Sequence, residues 1–353
     1  MQHLETCVKK LLDNKTVENI IVKIGCGDDI LCEIKKSAQD RQLTDRTLFD
    51  MASVTKIVVT TSLALIAIDK GMLAPSDRVS KSFPVPEDKQ CLTVQHLLTH
   101  TMGIGHKSLL KSAGKYEKIQ DCILSIPSDI PIGSNVLYSC PGFILLGRIL
   151  EQIFQKRLDA AFYEYVAAPL QMCSSIFLPD QAKDIVNANL QEKDKGLVND
   201  YNCRYLGGVC GNAGLFSDLA DMTLYTKMLL SHGAPLFSKK TFEIATKNHT
   251  SDMDESRGFG YLYVDDRYFQ TGGLFSQGSF GHCGHTGQSV FVDPKSRLYV
   301  IILSDATVST VKKYGKCVMI FMLRSRQIWI DPKIYLSIFP PHFSQKIYLL
   351  PLD

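Results

Sequence analysis

Little in this chain marks it as a membrane, nucleic-acid or disulfide-bonded protein. Charged residues make up only 21%, and lysine plus arginine exceeds aspartate plus glutamate by 39 − 36, a formal charge of +3. Nucleic-acid binders usually concentrate basic charge on one face, so this small excess gives no case for DNA or RNA as a partner. The longest nearly apolar run, Ile57 to Ile68, is broken by threonines and a serine. It falls short of the roughly 20 residues that span a bilayer, and no membrane span is expected. No basic-then-apolar leader opens the sequence, because Met1 to Thr16 reads as a polar amphipathic helix. The 11 cysteines are odd in number and contain no C-x-x-C pair. That pattern excludes a zinc ribbon and suits a reducing compartment better than a disulfide framework, so the expected location is cytoplasmic. What the chain does have is 353 residues with 45% hydrophobic content. This is enough for a sizeable core, in two domains or one large one.

Strand patterns occur at both ends. Asn19–Gly25 and Ile30–Ile34 alternate around Gly27-Asp28-Asp29, a hairpin turn. Gly260–Val264, Gln288–Asp293 and Leu298–Leu303 are short, β-branched and aromatic, and Asp293-Pro294-Lys295-Ser296 reads as the turn joining the last two. Between them the pattern is helical. Val54 to Lys70 is apolar nearly all round, which predicts a buried helix ending at Gly71, and Gly142–Ile153 and Leu219–Leu230 are the clearest later helices. The expected fold is α/β (α+β): an antiparallel sheet built from both chain ends and flanked by helices, with a mostly α-helical region inserted. Residues 1–74 and 256–353 would form the sheet region and 75–255 the insertion, with an active site in the cleft between them.

Ser53-Val54-Thr55-Lys56 carries the first chemical signal. Residues i and i+3 share a helix face about 5–6 Å apart, so Lys56 can hydrogen-bond the Ser53 hydroxyl. A neutral lysine there could take the proton as serine attacks a carbonyl. Neutrality is costly, since lowering its pKa from about 10.4 to about 7 takes roughly 4–5 kcal/mol. The spacing recurs at Ser108/Lys111, Ser112/Lys115 and Ser309/Lys312, and taken alone it also describes an N-cap serine beside a surface lysine. Ser53 differs in heading an apolar helix. Tyr138-Ser139-Cys140, leading into PGFILLGRILEQ, and His285-Thr286-Gly287 add two further signals.

In this order, the three signals resemble the S-x-x-K, Y-x-N and K/H-T-G motifs of the serine β-lactamase and penicillin-binding protein superfamily, in its class C β-lactamase-like branch. In the class A enzymes, which carry their own versions of these motifs, the acylation base is disputed. The first motif stands intact within FDMASVTK. The segments LTVQHLLTHTMGI and LGGVCGNAGLFS also look like this branch, and the resemblance covers roughly Asn19 to Asp305. It implies D,D-peptidase or esterase chemistry through an acyl-enzyme, with no metal and no organic cofactor. Carried over by position, Ser53 is the nucleophile and Lys56 is the base or the tuner of Tyr138. Tyr138 then shuttles protons, and His285 stands where relatives have lysine. The oxyanion hole would be the backbone N–H groups of Ser53 and Gln288, with Thr286 and Gly287 along the substrate strand.

One position departs from the pattern. Cys140 stands where the motif has asparagine, and a thiol is a weak donor and acceptor beside an amide. The expected substrate is therefore a small ester or a D-amino-acid-type amide or peptide, with β-lactams turned over weakly. A penicillin-binding or scaffold protein without turnover is the alternative. No oligomeric state is assigned.

Other candidates have plainer readings. His96 and His100 lie i, i+4 without the intervening glutamate of H-E-x-x-H, and read as structural. His282, Cys283 and His285 lack a distal metal partner. Gly208, Gly211 and Gly214 do not match a P-loop and read as turns beside the cleft. Cys140 as a nucleophile has no paired base in sequence except Tyr138. Val311 to Arg326 reads as a closing helix, and 327–353 resembles nothing recognisable.

Overall fold

A computed structural model describes residues 2–106, 118–181, 183–186, 194–265 and 275–306. The expected closing helix, the 327–353 extension and the other three S-x-x-K repeats lie outside the described residues.

Alternation at the amino end produces β1 (Asn19–Cys26) and β2 (Asp29–Ser37), an antiparallel hairpin with Gly27 at φ 58° in its turn. Glycine takes that left-handed conformation without a Cβ clash. Leu48–Asp50 (β3), Ile176–Phe177 (β4), Ile185–Val186 (β5) and Leu215–Ser217 (β6) form a small sheet in the order β4-β6-β3-β5. Leu262–Tyr263 (β7), Phe280–Cys283 (β8), Ser289–Asp293 (β9) and Leu298–Ser304 (β10) complete the main sheet, in the order β2-β1-β10-β9-β8-β7. The two ends meet where β1 pairs antiparallel with β10, Ile20 opposite Ser304. At the β9–β10 turn the Asp293 carboxylate accepts from the N–H groups of Lys295 and Ser296 at 3.0 and 3.3 Å, an Asx turn.

β7 is shorter than the strand expected over Gly260–Val264. Gly260, at φ 76°, donates to the Leu98 carbonyl at 2.7 Å, and a Cβ there would stand 1.9 Å from Thr61 Oγ1. Close approach to the central helix therefore bends this backbone out of the sheet.

The helix Gln2–Asp13 (α1) lays Leu4, Cys7, Val8 and Leu11 on the outer sheet face, against Ile20, Val22 and Ile24. The opposite face packs on the apolar segment after Ser53. That segment begins as a 3₁₀ turn at Ala52–Val54, widens to a π-helical turn over Lys56–Thr61 and continues as α2 (Ser62–Asp69). By length and composition Ala52–Asp69 could cross a membrane, but 83% of it is buried inside the protein. It is a core element, packed on the sheet side and on the helical side at once. Val94–Leu98 (α3), Ile119–Ser125 (α4) and Cys140–Phe154 (α5) follow. The Ser139 hydroxyl caps α5 by accepting from Gly142 N at 3.1 Å, with Pro141 in the first turn, where proline costs no hydrogen bond. Leu219–Leu230 is helical as expected, capped by Asp218.

Candidate active site

The segment Asp50-Met51-Ala52-Ser53 leaves β3 and turns sharply into the core helix. Ala52 holds φ 44°, left-handed for a residue with a Cβ, a conformation that persists only where surroundings enforce it. Here the Asp50 carboxylate enforces it, accepting from Ala52 N at 2.8 Å and from Asn199 N at 2.6 Å. Burial raises the Asp50 pKa to about 6, against the two backbone donors that lower it. The turn presents Ser53, partly exposed, above the buried Lys56.

Lys56 Nζ lies 3.0 Å from Ser53 Oγ, 3.0 Å from the Asn212 carbonyl and 3.5 Å from Cys140 Sγ. An ammonium has three N–H donors, and all three are used. From the far side Tyr138 Oη donates to Ser53 Oγ at 2.8 Å. Thus Ser53, Lys56, Tyr138 and Cys140, expected from sequence to belong together, do meet. They come from the core helix and from the loop that enters α5.

Electrostatics alter the expected division of labour. Burial works against the Lys56 charge, but facing Cys140 and Tyr138 outweighs it and holds the amine above its ordinary range. Of the two roles expected of Lys56, base or tuner of Tyr138, this upward shift favours the tuner. Tyr138 is pushed above the usual phenol range by burial, with Lys56 pulling the other way. Lys56 also sits 5.0 Å from the centre of the Tyr138 ring.

The third motif needs a second correction. His285 is exposed in the turn after β8, and the histidine of the two H-x-G triplets that faces Tyr138 is His282 on β8, ring centres 6.1 Å apart. His282 is 2% exposed, and its Nδ1 donates to the Cys283 carbonyl at 2.7 Å. Burial, then Lys56 and Arg257, hold its pKa well below the usual imidazole range, so it is neutral. The sequence contains two consecutive H-x-G triplets, His282-Cys283-Gly284 and His285-Thr286-Gly287. Only the first lies on the strand that passes the nucleophile, where a Cβ on Gly284 would stand 2.9 Å from the Met51 carbonyl.

Gln288 is corrected for the same reason. It enters β9, an interior strand between β8 and β10, and its carbonyl accepts from Gly284 N at 2.7 Å. Its side chain donates to the Ser304 carbonyl at 2.6 Å and accepts from Thr286 Oγ1 at 2.6 Å, while Thr286 Oγ1 lies 3.3 Å from the Asp50 carbonyl. Thr286, Gly287 (φ 94°) and Gln288 therefore build the turn instead of lining the substrate strand. β7 pairs with β8 only at Phe280 and Gly281. Gly284 N faces β9, and His285 follows it as the first residue of the turn that Gly287 N closes on the Gly284 carbonyl at 3.1 Å.

Further residues surround the site, among them Arg257, His106 and Asn212, which the sequence did not single out. His100, fully buried with its ring centre 4.6 Å from that of Tyr138, accepts from Ser139 N at 3.0 Å and fixes the loop before α5. This is the structural role expected of it, and His96 joins Thr93 in a capping box on α3. Arg257, 3% exposed and ion-paired with Glu255, stands 5.8 Å from the Tyr138 ring. The neighbouring Cys140 raises the His106 pKa against burial. Gly211 lets its loop press on α5, since a Cβ there would fall 2.1 Å from the Phe143 carbonyl. That is how Asn212 O reaches Lys56. The segments FDMASVTK, LTHTMGI and GGVCGNAG contain Asp50, His100 and Asn212; their roles depend on backbone atoms that no motif records.

The two histidines give a direct test. His282→Gln is expected to lower kcat/KM by about 10²-fold, the low end of loss for a group acting on a proton shuttle. Exposed His285→Gln should stay within roughly twofold, as surface changes do. Equal losses in the two variants would reverse this assignment.

The Beta-lactamase family description matches residues 28–314. An N-acetylmuramyl-L-alanine amidase of Bacillus subtilis (strain 168) is 27% identical over 304 residues, 75% of this chain and 69% of that protein. A putative D-alanyl-D-alanine carboxypeptidase of Escherichia coli (strain K12) is 28% identical over 316 residues, 77% of this chain and 72% of that protein. Among solved structures, EstCE1, a hydrolase with promiscuous acyltransferase activity, superposes with TM-score 0.74 at 18% identity, covering 91% of this chain and 97% of that one. The octameric penicillin-binding protein homologue from Pyrococcus abyssi gives 0.72 at 20% identity, over 92% and 80% of the two chains.

Proposed function

Because the chain belongs to the β-lactamase family, we propose that it is a serine hydrolase working through an acyl-enzyme on Ser53, with a small ester or a D-amino-acid-type amide or peptide as substrate. One observation carries this reading: Lys56 Nζ at 3.0 Å and Tyr138 Oη at 2.8 Å converge on the Ser53 hydroxyl from separate elements. As Ser53 attacks the carbonyl, Tyr138 relays the proton to the leaving group, and the Lys56 ammonium stabilises the negative charge passing through the tyrosine oxygen. The backbone N–H of Ser53 would receive the oxyanion. Water then takes the place of the leaving group, activated by Tyr138. The cleft lies between the sheet region and the helical insertion of residues 75–255. The relatives named for carboxypeptidase, amidase and acyltransferase activity support acyl transfer and leave ester against amide to experiment.

Intact-mass analysis after incubation with a fluorophosphonate and with a fluorescent penicillin tests the reading, alongside hydrolysis of a short-chain nitrophenyl ester. A single adduct on Ser53 with ester turnover is expected. An adduct from which the enzyme never turns over would favour the binding-protein alternative, and no adduct would end the acyl-enzyme reading.

Cys140 bears on which substrate is preferred. A substrate amide placed against a thiol in place of a side-chain amide loses a hydrogen bond, at about 1–3 kcal/mol, or roughly 5- to 150-fold in rate. Activated esters depend less on that contact. Cys140→Asn should therefore raise β-lactam acylation more than ester hydrolysis. An unchanged ratio of kcat/KM for one ester and one cephalosporin would show that this position does not set substrate choice.

A further inference from the structure

The third motif can be written with lysine or with histidine, and the histidine that faces Tyr138 in this chain is His282. A lysine at that place would bring a charge. His282 does not. Its Nδ1 donates to the Cys283 carbonyl and its Nε2 meets no partner, so a proton added to Nε2 would be buried without an acceptor, a costly arrangement. The other imidazole at the tyrosine, His100, is fully buried and accepts from Ser139 N through Nδ1. Burial and the neighbouring cations hold both histidines well below the usual imidazole range. Two neutral rings therefore face the residue through which the proton passes.

Arg257 is a different kind of neighbour. A guanidinium keeps its proton in proteins. This one is 3% exposed, with Cζ 5.8 Å from the centre of the Tyr138 ring, against 5.0 Å for Lys56 Nζ. Its backbone is pinned: Arg257 N donates to Thr250 Oγ1 at 2.8 Å, and its carbonyl accepts from His249 N at 2.7 Å. Nη2 is paired with Glu255, but that carboxylate is 38% exposed and water screens it. Nε and Nη1 are buried and meet no acceptor. Unpaired buried donors are uncommon and call for a cause. Here they leave the field of the cation uncancelled beside a phenol that must carry negative charge during the reaction, the arrangement by which fixed charges stabilise a transition state.

We propose that Arg257 is a positioning residue of the proton relay: from the loop before β7 it supplies the second cation that His282 does not, and it stabilises negative charge on the Tyr138 oxygen in acylation and deacylation. The proposal rests on the acyl-enzyme reading. Because Arg257 acts through Tyr138 and not on the substrate, its removal should change kcat and leave the KM of a neutral substrate as it was.

A neutral short-chain nitrophenyl ester is the probe, read as steady-state turnover and as the single-turnover rate of Ser53 acylation, with a thermal melt on every variant. Arg257→Gln should lower kcat by about 10- to 100-fold, the Coulomb effect of a charge at roughly this distance in an effective dielectric of about 20, with KM within about twofold. Glu255→Gln breaks the same ion pair but keeps the cation, so its kcat should match or exceed that of the wild type. Adding His282→Lys to Arg257→Gln returns a cation to the same tyrosine from β8 and should recover about 10-fold. Equal losses in Arg257→Gln and Glu255→Gln would mean that the pair serves only the fold, and would overturn the proposal. So would a loss seen in KM alone and only with a carboxylate-bearing ester such as mononitrophenyl adipate, which would make Arg257 a substrate-binding residue. A folded double variant no faster than Arg257→Gln would count against it in the same way. The two readings fail separately: a wild type that takes no fluorophosphonate on Ser53 ends the acyl-enzyme reading, whereas a labelled wild type matched in rate by Arg257→Gln ends this proposal alone.

Discussion

Ser53→Ala should abolish both covalent labelling and ester turnover, with kcat falling by as much as about 10⁶-fold, the loss seen when a serine nucleophile is removed elsewhere. Nothing else in the site can replace it. Tyr138 Oη and Lys56 Nζ both point at Ser53 Oγ, and Cys140 is buried, 3% exposed, where Ser53 is partly exposed. The fold should survive, because Ser53 is the one partly exposed residue in a buried segment and its removal opens no cavity in the core. Intact mass after fluorophosphonate treatment, with a thermal melt as control, decides it. Labelling at another residue with turnover retained would remove the mechanism.

Lys56→Met should slow acylation by about 10²–10⁴-fold, the range for loss of help to a proton transfer. The expected cause is electrostatic. Lys56 bridges Ser53, Asn212 and Cys140 and lies near the face of the Tyr138 ring, so its removal takes the cation from every proton-handling group at once. Methionine fills similar space, and exchanging a buried charge for an apolar side chain is often neutral for stability. The Asn212 carbonyl is left unpaired, at about 1–3 kcal/mol, which a melting curve would register. Stopped-flow acylation with an activated ester separates the two effects. A wild-type acylation rate in a folded Lys56→Met protein would reduce Lys56 to a structural role.

The correction at the third motif explains what a one-dimensional pattern records. His282-Cys283-Gly284 and His285-Thr286-Gly287 fit H-x-G equally well in sequence. What separates them is the turn between β8 and β9: closed by Gly284 N on the Gln288 carbonyl, it leaves one triplet on the strand and the other at the tip. Lys56 makes the same point in energy. Its spacing from Ser53 was legible, but its protonation state depends on a sulfur 84 positions away in the chain.

The sequence by itself determined the sheet built from both ends, the buried central helix, and the grouping of Ser53, Lys56, Tyr138 and Cys140. The sheet and the helix follow from local periodicity and the Ser53–Lys56 contact from short-range spacing, whereas the joining of Tyr138 and Cys140 to them was implied by the resemblance of the three motifs. Tertiary structure alone decided which of the two H-x-G histidines faces Tyr138 and how Cys140 and Tyr138 favour the charged form of Lys56. It also decided that Asp50 holds the strained Ala52 turn beneath the nucleophile. Those outcomes depend on strand order, on carbonyls reached through close-packed glycines and on the balance of burial against neighbouring charge, and all three exist only once distant segments are in contact.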